Sequence, residues 1–132
     1  MTSYGLLDTS ALIAWEHRAA GESSDLPDEF FVSVITLTEL HVGVYAARDT
    51  DTRAKRMATL DSIAGFEVLA ADADAAVEWS RLRYRLAEER RRINVNDLWI
   101  ASIAVVHGLP VITQDDDFTV LEGLGGPDVI RI

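Results

Sequence analysis

The sequence predicts an α/β fold, a parallel sheet covered by helices on both faces, and three observations carry that expectation. Short apolar runs at residues 4–7, 30–33, 66–70, 110–113 and 129–132 have the composition of strands. Helical periodicity fills the intervals between the first four of them, and alternation of this kind builds parallel sheets. Val111-Ile112 is apolar without alternation, the pattern of a strand buried on both sides.

Taken in order, residues 4–7 form the first strand and residues 10–17 the first helix, with Leu12, Ile13 and Trp15 supplying apolar area. The hydroxyls of Thr9 and Ser10 suit the cap of that helix. Residues 18–28 are rich in Gly, Ser, Asp and Pro and read as loop. After the strand at 30–33, a helix is predicted over 35–47, a charged interruption over 48–53, and another helix over 52–64 with Gly65 as its C-terminal cap. Asp72 is placed to cap a long helix that carries all the arginines from Arg81 to Arg92, with Trp79, Leu82 and Leu86 at core spacing. Residues 93–107 form a strongly apolar helix, stopped by Gly108 and Pro110. Repeats and low-complexity segments are absent.

The chain has 132 residues, which predicts a single domain over residues 1–132 with roughly two thirds of the unfolded surface buried. With no Cys, disulfides, thiolate metal sites and cysteine nucleophiles are excluded. No basic residue precedes Asp8, so the start lacks the character of a signal peptide, and the apolar run at 98–106 is too short to span a bilayer. A soluble cytoplasmic protein with no membrane contact is expected. Its net charge is -10, which repels nucleic acid at long range unless the few cations are concentrated. Arg81, Arg83, Arg85, Arg90, Arg91 and Arg92 make up half of the 12 basic residues, either as a solvated face partnered by Glu78, Glu88 and Glu89 or as a cationic strip.

Four acids stand where a charge is awkward. Asp8 follows the first apolar strand and Asp115 follows the strand at 110–113, and strand ends of a parallel sheet open onto one edge where ligands bind. Glu39 shares a helical face with Ile35 and Val42, although Thr36 to Glu39 also matches a capping box. Asp97 has apolar helical neighbours in Ile93, Ile100, Ala101 and Ala104, although an acid in a first turn after Asn94 also suits the helix dipole. Each has a bland reading as turn or cap chemistry. Together, if the helices bring Glu39 and Asp97 to the strand-end edge, the carboxylates repel one another strongly without a cation. An all-oxygen set suits Mg2+ or Mn2+. His17, His41 and His107 lack a common metal-ligand spacing, and neither a nucleophile elbow nor a Gly-rich phosphate loop is present.

With these residues in view, the chain resembles the PIN-domain family, and in particular the VapC-like ribonuclease toxins of toxin-antitoxin pairs. The resemblance runs nearly end to end, on Leu7-Asp8-Thr9-Ser10, Thr38-Glu39-Leu40, Asn96-Asp97-x-x-Ile100-Ala101 and Thr113-x-Asp115-x-Asp117-Phe118. It implies a three-layer α/β/α fold on a five-stranded parallel sheet of order 3-2-1-4-5. It also implies catalytic acids at Asp8, Glu39, Asp97 and Asp115, support from Thr9, Ser10 and Thr113, and at Asp117 a further acid found in part of the family.

The chemistry so implied is metal-dependent hydrolysis of RNA. Asp8, Asp97 and Asp115 would hold Mg2+ or Mn2+, Glu39 would hold a second ion or position the water, and Arg90, Arg91 and Arg92 would hold the RNA backbone. A cognate antitoxin and a homodimer are the partners the resemblance implies. Two other classes with acidic sites fit poorly. A phospho-receiver needs an acidic pair after its first strand and a late Lys, but Asp8 is single and the one lysine is Lys55; a phosphatase of the Asp-x-Asp kind fails because position 10 is Ser. A silent module whose acidic face binds a basic peptide remains compatible with the charge.

Overall fold

A computed structural model describes residues 1–16 and 26–132. Most of the loop expected over 18–28, and His17, lie outside the described residues. The elements are β1 (Tyr4–Leu7), α1 (Thr9–Trp15), β2 (Glu29–Ser33), α2 (Val34–Ala46), α3 (Thr50–Ser62), β3 (Val68–Leu69), α4 (Ala73–Glu88), α5 (Val95–His107), β4 (Val111–Thr113), a 3-10 turn (Asp117–Leu121) and β5 (Val129–Arg131). The sheet order is β3-β2-β1-β4-β5, every pairing is parallel, and this is the α/β architecture and order expected.

Alternation along the strands divides the core into two layers. Leu6 and Val111 face one way, into an apolar layer built with Leu82 and Leu86 of α4 and Leu98, Ile100 and Ile103 of α5. Leu7 and Ile112 face the other way and meet Leu12 of α1, Leu40 of α2 and Ile63 after α3. Gly5 allows the strands to close up: a Cβ there would come within 2.6 Å of Ile112 Cδ1 and 2.9 Å of Pro27 Cγ.

Helix ends follow local chemistry, and several differ from expectation. Ser33 Oγ accepts from Thr36 N–H and starts α2 at Val34, so the capping box over Thr36 to Glu39 does not form and the Glu39 side chain is left free for another partner. Asp49 likewise accepts from Thr52 N–H and starts α3 at Thr50, inside the charged stretch that read as an interruption. That helix closes at Ile63, and Gly65, expected as its cap, is not among the residues at positive φ. Asp72 caps α4 through Ala75 N–H, as expected.

α4 ends at Glu88, so Arg90, Arg91 and Arg92 lie in the connection to α5 rather than on the helix. Its end is a Schellman motif: Arg90 takes the left-handed conformation at φ 56°, Arg90 N–H donates to Ala87 O, and Arg91 N–H donates to Leu86 O. The physical cause is that no apolar residue between Ala87 and Ile93 gives another helical turn something to bury. α5 closes the same way with the residue expected for it, Gly108 at φ 65°, with Leu109 N–H donating to Ala104 O.

Candidate active site

The sheet reverses its winding between β1 and β4, and the chain turns off both strands at the same edge, leaving a crevice. An open hollow of about 450 Å3 lies there, lined by Asp8, Thr9, Ser10, Ile13, Glu39, Asn94, Asp97, Gln114, Asp115 and Asp117. All four acids expected to converge therefore face one space, with Asp117, Thr9 and Ser10 beside them.

Asp8 is the innermost acid, only 4% exposed. Its backbone is the N-cap of α1, but its carboxylate does not cap the helix. Instead Oδ2 accepts from Ser10 Oγ at 2.8 Å and from Thr113 Oγ1 at 2.9 Å. Those hydroxyls are turned around by the backbone of the β4 exit. Gln114 N–H donates to Ser10 Oγ and Asp115 N–H donates to Thr113 Oγ1, which leaves each hydroxyl proton free for Asp8. Thr9 and Ser10 thus sit in the first turn of α1 but are engaged by the site rather than in capping. Thr9 Oγ1 donates to Glu39 Oε1 at 2.7 Å and ties α1 to α2. Thr113 does not line the hollow; it is fully buried beneath it, under Asp8.

The electrostatics are those of crowded like charges. Burial pushes the Asp97 carboxyl up to about 7, and the negative charges of Asp8, Asp117, Glu39 and Asp115 push the same way. Asp8 is raised chiefly by burial, against the opposing hydroxyls of Ser10 and Thr113. Asp115 is raised by burial and then by Asp117 and Asp8, with Arg131 opposing. Arg131 is itself paired with Asp116, so little cationic charge reaches the hollow.

The donor chemistry fits a hard divalent cation: carboxylate oxygens only, mutually repelling, open to solvent. Among the described residues no group of three or more His, Asp or Glu side chains is closed around a common point. The set matches the demand of an ion that keeps several waters and takes one or two carboxylates directly.

The arginines separate from one another. Arg91 Nη1 donates to Val120 O and Glu122 O, and Arg81 pairs with Glu78 while donating to Leu124 O and Gly125 O. Arg81 fastens the loop that follows the 3-10 turn, and Arg91 the end of the turn and its exit. Arg90 and Arg92 have no such partner among the described residues and line a separate groove between α4 and α5. His41 and His107 are exposed on α2 and at the end of α5, away from the hollow.

Asn94 and Gln114 line the hollow and were not singled out for it. Asn94 was visible as the cap of α5, a role it has through Asn96 N–H. That position necessarily puts it one turn from Asp97. Gln114 lies between two site residues in sequence, which was the available signal.

A family model described as PIN domain matches residues 5–124. The chain is 52% identical to Ribonuclease VapC5 of Mycobacterium tuberculosis, over 97% of this chain and 95% of that protein. It is 36% identical to Ribonuclease VapC4 of the same organism, over 94% and 92%. A crystal structure of VapBC-5, a member of the VapBC family of toxin-antitoxin systems from Mycobacterium tuberculosis, superposes with a TM-score of 0.89 at 49% identity, over 98% of this chain and 99% of that one. With the family model spanning most of its length and a relative sharing more than half of its aligned residues, the chain belongs to the PIN-domain family.

Proposed function

We propose that this protein is a metal-dependent endoribonuclease and the toxin of a toxin-antitoxin pair. The observation that carries the reading is the convergence of Asp8, Glu39, Asp97 and Asp115 on one hollow at the β1/β4 edge. The ribonuclease names of its relatives and the toxin-antitoxin assembly of VapBC-5 support it.

In this reading Asp8, Asp97 and Asp115 would hold Mg2+ or Mn2+, directly or through water. When bound, the ion would supply positive charge for the substrate phosphate and would lower the pKa of a coordinated water. Ser10 and Thr113 keep Asp8 oriented through their two hydrogen bonds, which also oppose the protonation that burial favours. Thr9 fixes Glu39 by one oxygen, leaving the other to orient the attacking water and take its proton, or to meet a second ion. The water oxygen adds to phosphorus and the P–O3′ bond breaks in line. Oxygen ends on a 5′-phosphate and a proton on the departing 3′-oxygen. Asp117 extends the negative rim.

The partner in this reading is a cognate antitoxin whose basic segment is complementary to the same hollow. A catalytically silent module that only binds such a segment is the competing reading. Homodimerisation belongs to the proposal as well, and α2 leaves Val42 and Tyr45 58% and 86% exposed for contact with another chain. No helix among the described residues is long and apolar enough to cross a membrane, and a cytoplasmic site of action is part of the same proposal.

The deciding experiment is cleavage of an RNA pool by purified protein with Mn2+. Products with 5′-phosphate ends, lost with EDTA and with Asp8→Asn, are expected. Intact RNA under every metal condition, with a basic peptide still bound, would leave the module.

A further inference from the structure

We propose that the groove between α4 and α5 is the track for single-stranded RNA, and that Arg83, Arg90 and Arg92 hold its phosphates next to the carboxylate hollow while Arg91 does not. The inference rests on the nuclease reading above and gives it a substrate path.

The groove encloses about 760 Å3, and its lining includes four arginines and no acid, in a chain whose net charge is -10. Such segregation gives an anion one favourable approach to an otherwise repulsive molecule. Its floor is apolar and aromatic: Trp79, Leu86, Ile93 and Leu98. Trp79 is stacked on Trp99, and its indole N–H is buried without an acceptor among the described residues. Cationic walls over an aromatic floor are what a single strand requires, phosphates on the guanidinium groups and bases or riboses on the apolar surface.

The four arginines are not equivalent. Arg91 is already committed to two carbonyls, Val120 O within the 3-10 turn and Glu122 O just beyond it. Arg83, Arg90 and Arg92 are exposed and have no ion pair or side-chain hydrogen bond among the described residues.

Arg90 adds a second, independent sign. It occupies the left-handed position of the Schellman motif, where glycine carries no Cβ penalty, yet an arginine is present. Strain of this kind, held in place by its surroundings, is characteristic of functional positions.

Continuity with the hollow fixes the occupant. Val95 and Leu98 line the groove, whereas their sequence neighbours Asn94 and Asp97 line the hollow. The start of α5 therefore borders both spaces, and on this proposal a strand lying on the arginines passes over that turn to the carboxylates. An acidic peptide would match the charge but would gain nothing from that adjacency.

The test is fluorescence anisotropy with a labelled, mixed-sequence single-stranded RNA, in the Asp8→Asn background to prevent cleavage. Adding Arg83→Ala, Arg90→Ala and Arg92→Ala is expected to weaken binding about tenfold or more and to make the log-log salt slope shallower by about 2. Arg48→Ala, an exposed charge outside the groove, leaves the affinity unchanged. Arg90→Gly lowers affinity without lowering the melting temperature, which separates loss of a contact from loss of the fold.

Unchanged affinity and slope in the triple variant overturn the track. Binding of a polyglutamate peptide with the same arginine dependence, without competition from RNA, also overturns it and assigns the groove to an acidic partner. Arginine-dependent RNA binding without cleavage by the unsubstituted protein would overturn the nuclease reading alone. Cleavage with unaltered RNA binding by the triple variant would overturn the track alone.

Discussion

Asp97 carries the sharpest prediction at the scale of a single residue. Its carboxyl, raised from 3.8 to about 7, binds more protons folded than unfolded between those values. Where the native state holds the extra proton, stability falls as pH rises, so the metal-free protein loses stability from about pH 4 to pH 7. The loss is on the order of 1 to 2 kcal/mol after allowance for solvent screening at a part-exposed site. Asp97→Asn is expected to flatten this profile in urea unfolding with EDTA present and to raise the neutral-pH midpoint. The same variant should lose the stabilisation that Mn2+ gives the parent protein, which a melting curve reads without any assay of activity. Thr113→Val gives a complementary case. It removes a buried hydroxyl that donates to Asp8, and is expected to cost about 1 to 3 kcal/mol and to weaken Mn2+ binding, seen in the same two measurements. The acids were legible in the sequence because Asp8 and Asp115 follow apolar strands and Glu39 and Asp97 stand among apolar helical neighbours, and a charge in such a place has to have a reason. Asn94 and Gln114 were not, because a polar residue among polar neighbours makes no such contrast.

At the scale of the element, helix ends decide what the arginines can do. Had α4 continued to Arg92, its six arginines would have been distributed around a cylinder; the Schellman turn at Arg90 instead takes the last three off the helix, so that they line the groove while Arg91 also reaches Val120 O and Glu122 O. Nothing in the sequence marked that turn, since glycine is its usual signal and Gly108 shows it properly at the end of α5. Arg90→Gly is expected to leave stability unchanged or to raise it by up to about 1 kcal/mol, relief of the left-handed strain being partly offset by the freer unfolded chain. Arg91→Ala should do the opposite, releasing Val120 O and Glu122 O and lowering the melting temperature. Opposite signs for adjacent arginines in one thermal-shift series would separate strained residue from fastener. The start of α2 illustrates a different limit. The motif at Thr36 to Glu39 was a real pattern, but Ser33 lies one turn earlier and caps the helix first, so Glu39 is held by Thr9 from another element.

Across the whole molecule, the alternation of strands and helices made the architecture readable, because a parallel sheet leaves few ways to connect its strands. The two apolar layers on either side of β1 and β4 carry the fold, and Leu82→Ala, in a fully buried position, is expected to cost about 2 to 5 kcal/mol in denaturant unfolding. What alternation did not disclose was how the end of β4 reaches back to the beginning of the chain. Asp8 is held by Thr113 across 105 positions of sequence, and Ser10 by Gln114 across 104. A polypeptide still emerging from the ribosome has made its first acid early but lacks the strand that props it. The acidic hollow therefore cannot be completed until β4 has been made and has paired with β1, however much of the preceding chain has already folded.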